Sequence, residues 1–259
     1  MKKINLFYWP ISNLKTFSNF CQIYFAKIIK KIPNFLKTWD GAKFKVINLN
    51  SNLGTISEIW HEKAYGDLSG IKHIKNPIVI DIGANIGAFS VFACHRLNNP
   101  YIYAFEPEIS NFRLLEHNIA LNNLQNQIDA NKKAVCAVVG SRVLNVTDEG
   151  SGNNSFHMDQ PCKKTENVLC TNLSEIFEKK NINVCNLLKI DCEGSEYEII
   201  LNAPDALFRK IENIIIEIHP VRGYSPEELK SFLTARGYIL EISKGNGSVL
   251  IASRNNVIS

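Results

Sequence analysis

At residues 79–87 the chain reads Val79-Ile80-Asp81-Ile82-Gly83-Ala84-Asn85-Ile86-Gly87, a short apolar run that leads into a glycine-rich turn. An apolar run of this kind is typical of a strand that is buried on both faces of a parallel sheet. Glycines let the backbone turn sharply after the strand, and a helix that follows points its free N–H groups at a ligand. We therefore predict a strand at 78–82, a tight turn and a helix at 88–97.

The same alternation of apolar runs and helical segments continues towards the C-terminus. Further strands are predicted at 101–105, 187–190 and 214–218, and further helices at 109–122, from about 195, and at 226–236 after the N-cap Ser225. Two late strands, 238–242 and 248–252, are joined through Gly245-Asn246-Gly247 as an expected hairpin. This order predicts an α/β fold with a doubly wound, mostly parallel, Rossmann-like sheet and an antiparallel C-terminal hairpin.

The composition excludes several classes of protein. With 259 residues, 45% of them hydrophobic and 21% charged, the chain can bury a sizeable core and is neither disordered nor of low complexity. The sequence contains no apolar run of the roughly 18 residues that a membrane-spanning helix needs. Seven scattered cysteines without a C-x-x-C pair argue against a disulfide framework and a zinc site. They favour a reducing compartment, and we expect a cytoplasmic location.

Positive charge is concentrated in the N-terminal segment. Residues 1–45 contain nine lysines and one acid, Asp40, whereas the remaining chain carries 20 basic and 24 acidic residues. Apolar residues recur in this segment at the three- and four-residue spacing of a helix: Phe17, Phe20, Cys21, Tyr24, Phe25, Ile28, Ile32, Phe35 and Leu36. We therefore predict a basic amphipathic helical extension over residues 1–43, followed by one domain over residues 44–259.

Two interpretations of the extension stay open at this point. Its apolar stripe packs on the domain, or a basic amphipathic helix within residues 15–36 lies on an anionic membrane surface at the inner face. The apolar start after Lys2 and Lys3 imitates a signal peptide, but Pro10 and Lys15 interrupt it and no small-residue cleavage site follows. We therefore do not expect secretion.

The residues that follow the first two predicted strands indicate an adenosine-containing ligand. Glu106 follows the second strand, 23 residues beyond Gly83, a spacing at which an acid accepts hydrogen bonds from ribose hydroxyls. Asn85 stands where a dinucleotide fingerprint has its second glycine, and no phosphate-loop Lys-Ser/Thr pair follows Gly87. A ligand without phosphates fits better, and Asp81 beside the turn suits an amino group, as in S-adenosyl-L-methionine. The predicted cofactor-binding residues are Asp81, Gly83, Ala84, Asn85, Gly87, Glu106 and Pro107.

Three further motifs make a family resemblance specific. Residues 79–87 look like the opening motif of the FkbM-type S-adenosylmethionine-dependent methyltransferases, and Ala104-Phe105-Glu106-Pro107 looks like their second motif. Leu188-Lys189-Ile190-Asp191-Cys192-Glu193-Gly194-Ser195-Glu196 resembles their strand-end pattern K-x-D-x-E-G-x-E, and Ile216-Glu217-Ile218-His219-Pro220 is similar to the strand that follows. Glu58 and Tyr65 also fall where the family often has an acid and a tyrosine. The resemblance covers roughly residues 54–252 and omits the first forty.

The resemblance implies transfer of a methyl group to a hydroxyl, commonly on a sugar or a polyketide. A base that takes the hydroxyl proton would accelerate this reaction about 10²- to 10⁴-fold. The candidate catalytic residues at strand ends are Asp191, Glu193 and His219, with Glu217 as a further acid. Asp191, Glu193 and Glu196 could also suit Mg²⁺, but Glu196 is expected to face along its helix, and we predict no metal.

Residues 128–175 carry weaker signals. Alternation at 133–139 and 142–146 predicts two strands, and the cluster at 150–154 predicts a loop. We expect residues 140–175 to shape the acceptor pocket, although their composition names no acceptor.

Other functions are weighed against methyl transfer to a hydroxyl. N-methylation and an NAD-linked reaction would use the same scaffold, and Asn85 argues against the latter. A non-catalytic Rossmann-like module anchored through its basic N-terminal helix is the alternative from another class. It is disfavoured because the expected cofactor positions hold competent residues. A nucleic-acid substrate is not expected, since the body of the domain is acidic and lacks a basic stripe.

Overall fold

The computed structural model describes residues 13–147, 154–156 and 162–254. Of the loop predicted at 150–154, only Asn154 lies among the described residues. The central sheet consists of β3 (Ile78–Ile82), β4 (Tyr101–Phe105), β5 (Ile128–Asn131), β9 (Leu187–Ile190), β10 (Asn213–Glu217), β11 (Ile239–Ile242) and β12 (Val249–Ser253). Two short strands, β1 (Leu36–Lys37) and β2 (Lys43–Phe44), precede it as a hairpin.

The sheet has the strand order β11-β12-β10-β9-β3-β4-β5. The five strands β5, β4, β3, β9 and β10 pair in parallel, and β12 pairs antiparallel with both β10 and β11. The chain therefore runs from β3 to β4 and β5 on one side and returns to β9 on the other. Ligands of open α/β sheets bind where the strand order reverses in this way, beyond the carboxyl ends of the strands. The predicted fold class and hairpin are confirmed.

Helices cover both faces of this sheet. They are α1 (Phe20–Ile28), α2 (Leu49–Trp60), α3 (Ala88–Arg96), α4 (Ile109–Leu121), α5 (Leu173–Lys179), α6 (Glu196–Leu201), α7 (Asp205–Phe208) and α8 (Pro226–Thr234). Successive strand residues serve opposite layers, because side chains alternate along a strand. Val79 packs with residues of α2, α3 and α4 in one apolar cluster, whereas Ile80 packs with residues of α5, α6 and α8 in another. As predicted, the Ser225 side chain caps α8 by accepting a hydrogen bond from the Glu227 N–H.

A smaller sheet lies between β5 and α5 in the chain. It consists of β6 (Ala134–Val135), β7 (Gly140–Val146) and β8 (Lys164–Thr171) in the order β6-β8-β7. The strand predicted at 142–146 is confirmed within β7, whereas only two residues of the strand predicted at 133–139 are paired. β8 was not predicted. The sheet encloses its own apolar cluster around Cys136, Leu144 and Cys170.

The N-terminal segment differs from its prediction. α1 ends at Ile28, and Leu36 already belongs to β1, so the nine apolar residues do not share one helix. Within α1 the side chains that face the core are those of Ile23 and Ala26. The interpretation in which the apolar stripe packs on the domain is therefore wrong for Tyr24, Phe25 and Ile28, all of which are exposed. Among the described helices, none combines the length and apolarity required to cross a bilayer.

Candidate active site

A cavity of about 260 Å³ lies beyond the carboxyl ends of β3, β4, β9 and β10. The glycine turn and Glu106 line one part of it. Four carboxylates from three other segments line another part: Glu58 of α2, Asp191 and Glu193 after β9, and Glu217 of β10. Asn154 and Phe156 also line it, and both belong to the region 140–175 that is predicted to shape the acceptor pocket. The cavity is therefore a polar cleft at the position that the strand order favours for a ligand.

The glycine turn is held close to the end of β9. Gly83 has φ +74°, and a Cβ built on it would lie 1.7 Å from the backbone oxygen of Asp191, so only a hydrogen atom fits there. Asn85 also has a positive φ, of +51°, and lines the cavity with Gly83 and Ala84. Gly87 does not line the cavity. A Cβ on Gly87 would meet the Leu115 side chain, which shows that this glycine serves the packing of α3 against α4.

Glu106 lies at the end of β4, next to the turn. Its Oε2 accepts a hydrogen bond of 2.9 Å from the Asn85 N–H, and its Oε1 accepts one of 3.0 Å from the Glu108 N–H. Burial raises the pKa of Glu106 to about 7, although these hydrogen bonds oppose the shift. Pro107 follows it on the cavity wall. The carboxylate thus both fixes the turn and presents acceptor oxygens to the cavity.

Asp81 lies behind the cavity wall rather than on it. The side chain is fully buried; its Oδ2 accepts a hydrogen bond of 2.7 Å from Ser90 Oγ, and its Oδ1 lies 3.2 Å from Lys189 Nζ. Lys189 Nζ also donates to the Gly83 carbonyl at 3.0 Å and lies 3.5 Å from Asp191 Oδ2. Burial opposes the charge of Lys189, but Asp81 and Asp191 outweigh it and raise the lysine pKa. This ion cluster joins the glycine turn to β9. Lys189 is part of a motif in the sequence but was given no role there, although a lysine inside an apolar strand requires a carboxylate partner.

A second polar network surrounds Tyr65. Its hydroxyl lies 2.8 Å from Asp191 Oδ2 and 3.0 Å from Glu217 Oε2, so its single proton can be donated to only one carboxylate at a time. Asn246 donates to Glu58 at 2.9 Å and to Glu217 at 3.3 Å. Burial and then the charges of Glu217 and Asp191 raise the pKa of Glu58 to about 7. Burial and Asp191 likewise raise the pKa of Glu217. The carboxyl group of Glu58 in this network can therefore be protonated at neutral pH.

A third group joins His219, Glu196 and Glu193. Glu196 was predicted to face along its helix, and this prediction is wrong. Its fully buried carboxylate turns back to accept from the N–H groups of Gly194 and His219, and it lies 2.5 Å from His219 Nδ1. Burial alone would lower the pKa of His219, but Glu196 and Glu193 outweigh it and raise the pKa to about 10. His219 is therefore a cation at neutral pH and cannot accept a further proton.

Glu193 faces this cation from the turn after β9. Its Oε2 lies 3.6 Å from His219 Nε2, and its own φ is +54°, a backbone conformation that a non-glycine residue adopts only when its surroundings enforce it. Burial raises the pKa of Glu193 to about 7, against the opposing charge of His219. Its carboxylate can therefore gain or lose a proton near neutral pH. Within the part of the chain that the structure describes, no group of three or more His, Cys, Asp or Glu side chains is arranged to hold a metal.

Comparisons with known proteins show which family this sequence matches. A family model described as "Methyltransferase FkbM domain" matches residues 81–240, more than half of the chain. A 31-O-demethyl-FK506 methyltransferase from Streptomyces tacrolimicus is 24% identical, with 85% of this chain and 90% of the relative covered. A hexuronic acid methyltransferase from Haloferax volcanii is also 24% identical, with 74% and 78% covered. A crystal structure of a methyltransferase FkbM from Methylobacillus flagellatus matches with a TM-score of 0.48 at 16% identity, with 79% of this chain and 52% of that chain covered.

Proposed function

This chain belongs to the FkbM methyltransferase domain family, and from that membership we propose that it methylates a hydroxyl group of a sugar, a glycan or another small metabolite. The family depends on S-adenosyl-L-methionine, which is the cofactor of this chain. Two relatives support the acceptor class through their names, one as a 31-O-demethyl-FK506 methyltransferase and one as a hexuronic acid methyltransferase. The observation that supports this proposal most is that one cavity is lined by a glycine turn and Glu106 together with Glu58 and Glu193, whose pKa values burial raises to about 7.

The cavity wall offers donors and acceptors that suit the cofactor. Glu106 would accept hydrogen bonds from the two ribose hydroxyls, and Gly83, Ala84 and Asn85 would bring backbone close to the rest of the ligand. Asp81 would act from behind, by holding Lys189 against the Gly83 carbonyl. When bound, the cofactor supplies a methyl group that its positively charged sulfur already activates. The remaining task of the protein is to align the acceptor, exclude water and remove one proton.

We assign the proton transfer to Glu193. A base works best when its pKa lies near the working pH, and the pKa of Glu193 is about 7. We infer that His219 is not the base, because against the effect of burial Glu196 and Glu193 raise its pKa to about 10, and that its positive charge orients Glu193 instead. Asp191 lies between Tyr65 and Lys189 at the end of β9, where it would position the acceptor hydroxyl or the cofactor.

The acceptor chemistry can be tested with S-adenosylmethionine that carries a labelled methyl group. A neutral oligosaccharide, a hexuronic acid and a hydroxylated macrolide would serve as acceptors. We expect the label on a hydroxyl oxygen, as an ether that resists alkali. A label that alkali releases would indicate a methyl ester, and a label on nitrogen would indicate N-methylation. Either result, without ether formation, would contradict the proposed hydroxyl acceptor.

The ribose assignment predicts that Glu106→Gln weakens binding of S-adenosylhomocysteine. Hydrogen bonds to a charged group contribute about 1.5–3 kcal/mol, which corresponds to a roughly 10- to 100-fold loss of affinity. Calorimetric titration measures the change directly. Glu116→Gln, on the exposed side of α4, is the matched control and should bind as the native chain does. Unchanged affinity in Glu106→Gln would rule out the ribose contact.

The assignment of the base predicts that Glu193→Gln lowers kcat about 100-fold or more while leaving S-adenosylhomocysteine affinity intact. The base must be ionised to accept a proton, so kcat of the native chain should rise as the pH increases through about 7. This rising limb of the pH profile should be absent in Glu193→Gln. His219→Gln removes a charge that lowers the pKa of Glu193, so it should move the limb to higher pH. If the rise of kcat with pH persisted unchanged in Glu193→Gln, another residue would be the base.

A further inference from the structure

The outer face of α1 is apolar although it points away from the core. Cys21, Tyr24, Phe25 and Ile28 follow the spacing of one helix face, and all four are exposed. Phe25 is 62% exposed and Ile28 is 64% exposed, whereas Ile23 and Ala26 on the opposite face are buried. Ile29 and Ile32 extend the exposed apolar surface beyond the end of the helix. We refer to Tyr24, Phe25, Ile28, Ile29 and Ile32 as the outer patch.

Lysines flank the outer patch without any acid beside them in the sequence. Lys27, Lys30 and Lys31 are interleaved with its residues, and all three are exposed. Residues 13–39 contain no Asp or Glu, so no carboxylate of this segment offsets their charge. Several large apolar side chains exposed within one short segment are typical of an interaction site. Because these lysines are positively charged, a complementary partner has negative charges at its surface and an apolar region beneath them.

From this combination we propose that the outer patch binds the surface of an anionic lipid bilayer. The apolar side chains enter the boundary between headgroups and acyl chains, and the lysines contact the anionic headgroups, each contributing about fivefold to the partition coefficient. A second copy of the chain fits less well. A two-fold symmetric contact would bring the lysine-flanked surfaces of both copies together, and like charges repel.

Vesicle flotation with the full chain tests this proposal without any need for turnover. We expect the protein to float with vesicles of phosphatidylcholine and phosphatidylglycerol, and at least tenfold less with pure phosphatidylcholine. Salt near 1 M, where the Debye length is about 3 Å, should release most of it. Phe25→Ser/Ile28→Ser should lower binding to the anionic vesicles at least tenfold, and Lys30→Gln/Lys31→Gln should lower it about 25-fold, since each lysine contributes about fivefold.

Ile28→Ser and Ile239→Ser form a matched pair for the location of the patch. Both isoleucines are exposed, at 64% and 55%, but Ile239 lies on the edge strand β11. Only Ile28→Ser should weaken flotation, while both variants keep the native melting temperature. Absence of flotation by the native chain, or full flotation by Phe25→Ser/Ile28→Ser, would overturn the proposal. So would a dimer in solution that Phe25→Ser/Ile28→Ser dissociates, since a second copy would then cover the patch.

Discussion

Replacing Gly83 with alanine is expected to abolish cofactor binding and to lower the free energy of unfolding by about 2–6 kcal/mol. The added Cβ would lie 1.7 Å from the Asp191 oxygen and 2.8 Å from the carbon of the same carbonyl. Both atoms are backbone at the end of a central strand, so neither can rotate away. The positive φ of Gly83 adds strain for any side chain. Relief requires that the turn move away from β9, which displaces the cavity wall.

Chemical denaturation and titration with S-adenosylhomocysteine measure the two effects of Gly83→Ala. Gly54→Ala is the matched control, because Gly54 lies within α2 and a Cβ there would meet no atom within 4 Å. Alanine is the better helix former, so this control should raise the free energy of unfolding by about 0.5–1 kcal/mol. If Gly83→Ala bound the ligand with native affinity, the close approach of the turn to β9 would not be a requirement for binding.

The sheet could be predicted because its signals are local. Ile78–Ile82, Tyr101–Phe105 and Leu187–Ile190 are short runs flanked by turn residues, and the structure places strands at all three. The glycine turn and Glu106 were predicted for a related reason, since both follow strand ends directly. Parallel strands bring their carboxyl ends to one edge, so order along the chain is enough to place such residues together.

The direction of individual side chains was not predictable in the same way. Asp81 follows the strand pattern, yet its carboxylate faces Ser90 and Lys189 instead of the cavity. Glu196 turns towards His219, which is 23 residues away in sequence. Both orientations depend on partners from other elements, and no spacing within a single element encodes them. Both orientations depend on the pairing of β9 with β3 and β10 in the sheet.

The outward apolar face of α1 is another feature that spacing along the sequence does not fully determine. Helical spacing correctly groups Cys21, Tyr24, Phe25 and Ile28 on one face, but spacing alone does not say what that face contacts. The core contact is instead made by Ile23 and Ala26, two residues that the apolar stripe excluded. Two buried residues are enough to attach α1 to the domain, because its flanking segments are attached as well. Phe17, Leu36 and Phe44, which flank α1 in the chain, also belong to the main apolar cluster.

Replacing Lys189 with methionine is expected to lower the free energy of unfolding by about 3–5 kcal/mol. Methionine preserves most of the volume and removes the only charge that lies within 4 Å of Asp81 among the described ion pairs. Asp81 is fully buried, so its carboxylate would be left uncompensated, and the Gly83 carbonyl would lose its donor. The loss should therefore affect the glycine turn as well as the stability of the whole domain.

Denaturation of Lys189→Met beside the double variant Lys189→Met/Asp81→Asn separates charge from packing. Asp81→Asn removes the uncompensated buried charge, so the double variant should show a smaller loss of the free energy of unfolding than Lys189→Met alone. Lys180→Met is the control, since Lys180 forms a partly exposed ion pair of 2.7 Å with Asp129, and such pairs contribute about 0–1 kcal/mol. A deficit in Lys189→Met that is as small as that of Lys180→Met would show that Asp81 is stabilised by other groups. A large deficit that Asp81→Asn does not reduce would assign the effect to packing, because the double variant no longer carries the buried charge. Only a large deficit that Asp81→Asn reduces supports Lys189 as the charge that holds Asp81, the glycine turn and Asp191 together.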